Sequence, residues 1–170
     1  MQFIARIIRA AKLESRLYEE IETDKDATNQ ALVVVLLSSL ASSIGASTYA
    51  GLGGLVMGGL VALLAWYLWT FLTYIIGAKL FPVSQTSTSH REFWRTLGFA
   101  SAPGVLRVFG DLPGLTGIAF LVAAVWMLIA AVIAVRQAFD YTSTVRAASV
   151  CVPGWLVHVF LLFFLLLLLG

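Results

Sequence analysis

The feature that most limits what this chain can fold into is the sorting of its charges around five apolar stretches. Residues 31–48, 51–78, 93–110, 116–135 and 151–170 are runs with few ionisable side chains, and 60% of the 170 residues are hydrophobic. A soluble domain is about half apolar and about a quarter charged; here 12% of residues are charged. A run of roughly 20 apolar residues is the length a helix needs to cross a bilayer, where every backbone polar group must be satisfied internally. The expected fold class is therefore all-α. It is a polytopic membrane protein with a charged cytoplasmic segment over residues 1–30 and a five-span membrane domain over residues 31–170.

Ten of the eleven Lys and Arg residues fall on one side of that arrangement. Arg6, Arg9, Lys12, Arg16 and Lys25 precede the first span; Lys79, Arg91 and Arg95 lie between the second and third; Arg136 and Arg146 lie between the fourth and fifth. Only Arg107 falls on the other side. Cytoplasmic loops carry the excess of Lys and Arg, so the amino terminus is expected inside and the carboxyl terminus outside. The third stretch is the least apolar, with Arg95 and Arg107 near its ends and Pro103-Gly104 in its middle. A kinked or broken helix is expected there, with Pro103 and Gly104 as the hinge.

The net charge of +2 and pI near 8.9 do not point to nucleic acid, because the basic residues flank spans or alternate with acids. Cys151 is the single cysteine, so no intrachain disulfide forms. Residues 1–16 mix Ile with Arg and lack a compact apolar core, so no cleavable signal is expected. In this segment Ile4, Ile7, Ile8, Ala11 and Tyr18 share one helical face and Arg6, Arg9, Arg16 and Glu20 the other. Two readings follow. One is an amphipathic helix on the membrane surface, its Arg heads held by anionic lipid; the other is a helix packed on the protein itself.

Several side chains stand out within the spans. Ala50, Gly54, Gly58 and Ala62 recur every four residues in the second. Small residues let helix backbones approach closely, and this stripe suits either the Ser38, Ser42 and Ala46 stripe of the first span or a partner helix. Gly51-Leu52-Gly53 lacks the third glycine and the preceding strand of a dinucleotide fingerprint. His158 lies inside the fifth span, where an ionisable group is a functional candidate. It suits an interhelical hydrogen bond or, with further ligands, a metal or a chlorophyll-type pigment. Arg107 with Asp111, and Arg136 with Asp140, are four apart and can pair on a helix. Arg107 and Arg136 are alternatively contacts for a lipid headgroup or another anion.

The chain resembles the Yip family (Ypt/Rab-interacting membrane proteins), in its short prokaryotic branch. The resemblance rests on Phe93-Trp94-Arg95-Thr96-Leu97-Gly98-Phe99-Ala100-Ser101-Ala102-Pro103-Gly104, on Leu112-Pro113-Gly114, on Val125-Trp126-Met127, and on Ile133-Ala134-Val135-Arg136-Gln137-Ala138-Phe139. Arg146-Ala147 and Gly154-Trp155-Leu156 follow; upstream, Tyr18-Glu19-Glu20-Ile21 and Asp26-Ala27-Thr28 add to it. The resemblance implies a multi-span helical fold and, for eukaryotic relatives, binding of small GTPases in vesicle traffic. Those relatives follow a Leu-Tyr pair with Gly-Pro, whereas Leu17-Tyr18 here is followed by Glu19-Glu20. That departure argues against GTPase binding.

The expected function is a non-enzymatic integral membrane scaffold or accessory subunit, in a prokaryotic plasma membrane, that acts by helix packing and lipid contact. Its expected partners are membrane lipid and other transmembrane subunits or itself, with no nucleic acid. No catalytic residue and no metal site is expected, since no nucleophile, base and acid converge in the sequence. No cofactor is expected beyond bound lipid, with a chlorophyll-type pigment or carotenoid as the open alternative. A small oligomeric carrier or lipid-translocating protein built around Pro103, and a trafficking adaptor, are the competing readings.

Overall fold

The computed structural model of the chain describes residues 2–46, 51–82 and 88–169, with backbone alone at 51, 158–159 and 161–169. Among these every regular element is helical: α1 (Gln2–Ala11), α2 (Ser15–Thr23), α3 (Ala27–Ala46), α4 (Gly51–Ile75), α5 (His90–Ala100), α6 (Thr116–Ala138) and α7 (Thr144–Leu169). A π-helical turn, Ile76–Leu80, continues α4, and a 3-10 helix, Ala102–Asp111, follows α5. Three helical stretches, Ala27–Ala46, Leu52–Leu80 and Thr116–Ala138, are long and apolar enough to cross a membrane.

Side-chain neighbours fix how the rods run. A Cβ on Gly98 would meet Ala31, one on Gly104 would meet Ser38, and one on Gly45 would meet the Arg107 carbonyl. Rising numbers pair with rising numbers, so α5 and the 3-10 helix together run parallel to α3. The Thr116 hydroxyl donates to the Gly110 carbonyl at the far end, and Gln137 reaches Glu19 at the near end, so α6 runs back. Arg146 sits against Phe81 and Gly154 against Thr73, so α7 runs opposite to α4. The connections carrying ten of the eleven Lys and Arg residues gather at one end of this bundle.

The break in the third stretch follows from Pro103. Without an N–H, and with a ring that clashes with the preceding turn, it ends α5 and opens the 3-10 helix. Ser101 closes α5, its N–H bonding to the Gly98 carbonyl at 3.2 Å and its hydroxyl donating to Leu97 at 3.3 Å. Ten residues of 3-10 helix are unusual, and rise about 20 Å against about 16 Å for the 11 residues of α5. The tighter coil is held because Ala102, Pro103, Gly104 and Gly110 are buried between α3 and α6.

Of the two readings of the amino-terminal segment, the contacts match the one packed on the protein itself. It is two helices, and the polar face of α1 meets Gln30 and the acids of the following turn and helix. Arg6 is buried and donates to Gln30 at 3.0 Å, Glu20 at 3.2 Å and Asp24 at 2.7 Å. Arg9 takes both carboxylate oxygens of Glu14 (3.0 and 2.9 Å) and Glu20 at 2.8 Å. Glu20 of α2, with Glu14 and Asp24 at the two ends of that helix, neutralises the two arginines. Ile4 and Ile8 are 63% and 49% exposed, so the apolar ridge of α1 points outward. Leu13, at φ 62°, makes the turn into α2, whose Leu17, Tyr18 and Ile21 are fully buried.

The outward faces of the long helices are apolar. Leu36 and Leu40 on α3, Leu60 and Leu64 on α4, Leu121 and Val125 on α6, and Val152 and Leu156 on α7 are all exposed. A soluble monomer rarely carries a contiguous apolar surface of that extent. A belt of this kind, with three helices of sufficient length, is compatible with an integral membrane protein.

Candidate functional site

The helix seams are built from small residues, because without hydrophobic drive between helices association depends on close van der Waals contact. A Cβ on Gly58 would stand 2.8 Å from the Ser43 hydroxyl, which itself donates to the Leu55 carbonyl at 2.6 Å. Thus Ser43, not Ser42, is the residue of α3 that meets Gly58. Ser38 faces the 3-10 helix instead: a Cβ on Gly104 would lie 2.0 Å from its hydroxyl and 2.9 Å from the Met127 sulfur. Gly54 and Ala62 are half-buried on α4, and Ala50 lies outside the described residues. A Cβ on Gly53 or Gly59 would meet nothing within 4 Å among the described residues.

The charged end is closed by two further arginines whose roles the sequence did not disclose. Buried Arg95 donates to the Glu22 carbonyl at 2.5 Å and to the Thr28 hydroxyl at 3.4 Å, joining α5 to the α2–α3 turn. Arg146 donates to the carbonyls of Phe81 and Pro82 and lies 4.9 Å above the Tyr141 ring. The Tyr141 hydroxyl reaches the Gly77 and Phe81 carbonyls at 3.3 and 3.0 Å, so the π-helical end of α4 is capped from the α6–α7 connection. Tyr141, Phe139, Phe93, Tyr74 and His90 form a continuous run of ring contacts, with centroids 5.1–5.5 Å apart. Such contacts are individually modest but lock ring orientations.

Arg136 lies in the last turn of α6 and donates to the Tyr141 carbonyl at 3.3 Å and the Thr144 hydroxyl at 3.0 Å. Asp140, at φ 49°, sits in the left-handed position that terminates the helix, with the Tyr141 N–H returning to the Arg136 carbonyl. Arg136 also borders a cleft of about 430 Å³ with Leu13, Ser15, Ile133, Gln137 and Thr144.

Arg107 is placed differently. Its guanidinium carbon lies 5.6 Å from the Phe120 ring centroid, and its Nε is buried without a hydrogen-bond partner. The expected pair with Asp111 is not formed. Four residues of 3-10 helix turn the second side chain about a third of a turn away, where an α-helix would align the two. His158 lies on α7, and its side chain falls outside the described residues. Among the described residues no three His, Cys, Asp or Glu side chains gather to hold a metal ion.

The electrostatics of the amino-terminal hairpin follow its contacts. The Arg9 guanidinium holds the Glu14 and Glu20 carboxyls below their usual range, and Arg6 does the same for Asp24. Glu22 goes the other way: burial, then the charges of Asp140 and Glu92, raise it to about 7. The alternation of Arg6 and Arg9 with Glu14, Glu20 and Asp24 was the signal available in the sequence for this cluster.

Set against protein-family models, curated proteins and solved structures, the chain matches none of them.

Proposed function

We propose that the chain is a five-span, Yip-like integral membrane protein of a prokaryotic plasma membrane, amino terminus inside, acting as a non-enzymatic scaffold or accessory subunit. The observation that carries this reading is the division of α4. One side is closed by Gly58 on Ser43, while an outer ridge of Gly53, Met57, Leu60 and Leu64 is exposed. A subunit that works by helix packing needs a rigid body and a free apolar ridge of this kind. The five alternating runs, with basic residues gathered at one end, support five crossings in the orientation given by the positive-inside rule.

Two features favour this over the competing readings. Gly104 is packed against Ser38 and Met127, which leaves no room for a solute beside Pro103. Leu17, Tyr18 and Ile21 are buried and Glu20 and Asp24 are engaged by arginines, so the segment an adaptor would present is occupied. The test is purification from the native membrane in mild detergent, followed by native gel electrophoresis and mass spectrometry, for the wild type and Gly53→Leu. A stoichiometric larger complex that Gly53→Leu dissolves, with the variant itself still folded, supports the scaffold. Migration as an isolated chain in both cases overturns it.

A further inference from the structure

Arg107 is the one basic residue at the end of the bundle away from the charged connections. All nine Asp and Glu side chains of the sequence are among the described residues, and none forms an ion pair with it. Among the described residues, the group recorded against the guanidinium is the Phe120 ring, and Val105, Phe109 and Ile118 at the same end of the bundle are exposed. The backbone cannot withdraw it, because the Arg107 carbonyl is pressed against Gly45, where a Cβ would lie 1.8 Å away. Arginine stays protonated in proteins. A cation with its Nε buried and unsatisfied is costly unless an anion completes it.

We infer that Arg107 is a phosphate-binding residue that takes the phosphodiester of a membrane lipid. The planar fork of guanidinium donors matches two phosphate oxygens. Val105, Phe109 and Ile118 offer the apolar surface along which an acyl chain lies. The inference rests on the membrane reading above but not on the scaffold role: a chain that migrates alone can still hold this lipid.

The experiment uses the full chain, delipidated in detergent and titrated with dioctanoyl phosphatidylglycerol, phosphate-free dioctanoylglycerol, or inorganic phosphate. Native mass spectrometry reads the bound equivalents. One equivalent of phosphatidylglycerol is expected to bind in preference to dioctanoylglycerol. Arg107→Gln should weaken it by at least about tenfold, the loss that one charge-assisted contact carries, and Arg107→Lys should retain part of it. Inorganic phosphate that binds as tightly as the lipid would overturn the lipid source and leave a free-anion site. Equal binding of dioctanoylglycerol, or full affinity in a folded Arg107→Gln, would overturn the phosphate contact itself. If Arg107→Gln does not fold, the wild-type preference between the two lipids, with the Lys variant, decides.

Discussion

Arg95 donates to the backbone carbonyl of Glu22, 2.5 Å away, rather than to its carboxylate. The guanidinium thereby closes the carboxyl end of α2, where the helix dipole favours a cation, and the Glu22 side chain is left half-buried near Glu92 and Asp140. Its pKa is raised to about 7 from a usual value near 4.5. Between those values the folded chain holds a proton that the unfolded chain has released, so stability falls as pH rises through this window and levels off above it. Thermal melts in detergent from pH 5 to pH 8.5 should show that decline, and Glu22→Gln should flatten it. A Gln variant with an unchanged pH profile would show that another group is responsible.

The Arg6–Glu20–Asp24 cluster predicts the opposite sign further down the scale. Glu20 and Asp24 are held below their usual range, so their contribution is present at neutral pH and is lost as pH falls through the depressed values. Arg6→Gln should destabilise the hairpin by about 1.5–3 kcal/mol, the range for hydrogen bonds to charged groups. Limited proteolysis at Lys12 checks this: faster cleavage with the bundle still helical is the expected outcome.

Gly104→Ala should cost about 1–3 kcal/mol, as overpacking does, because its Cβ would stand 2.0 Å from the Ser38 hydroxyl. Removing the obstacle with Ser38→Gly should restore part of the loss, giving a coupling that a double-mutant cycle reads. Gly59→Ala is the control, since its Cβ would meet nothing within 4 Å among the described residues. An equal loss at both glycines would mean that helix flexibility, not close contact, sets the requirement.

Tyr141→Phe removes the hydroxyl that reaches the Gly77 and Phe81 carbonyls. A loss of about 1 kcal/mol is expected, with hydrogen exchange rising at the Ile76–Leu80 turn and not within α3. Uniform exchange across the bundle would contradict a local cap.

The legible part of this fold was whatever one segment can announce alone. Apolar length marked α3, α4 and α6, and Pro103 marked the break after α5. The illegible part depended on which faces meet. The spacing of Arg6 and Arg9 gives α1 a polar side, but only the return of α2 makes that side internal. Ser38 and Gly104 are 66 positions apart, and no periodicity within one helix reports their contact. Arg107 and Asp111 misled for a related reason: their spacing implies a pair only if the backbone between them is α-helical.

The hairpin of α1 and α2 also carries a consequence for the order of assembly. Arg6, Arg9, Glu14, Glu20, Asp24 and Gln30 all lie within the first thirty residues, so their cluster can close while the remainder of the chain is still being made. The ties that fasten it to the rest come later: Arg95 to Glu22, Trp126 to the Ala11 carbonyl at 2.9 Å, and Gln137 to Glu19. Made ahead of α3 to α7 and with its arginines already neutralised, the hairpin offers a preformed surface on which those helices dock through the three later ties.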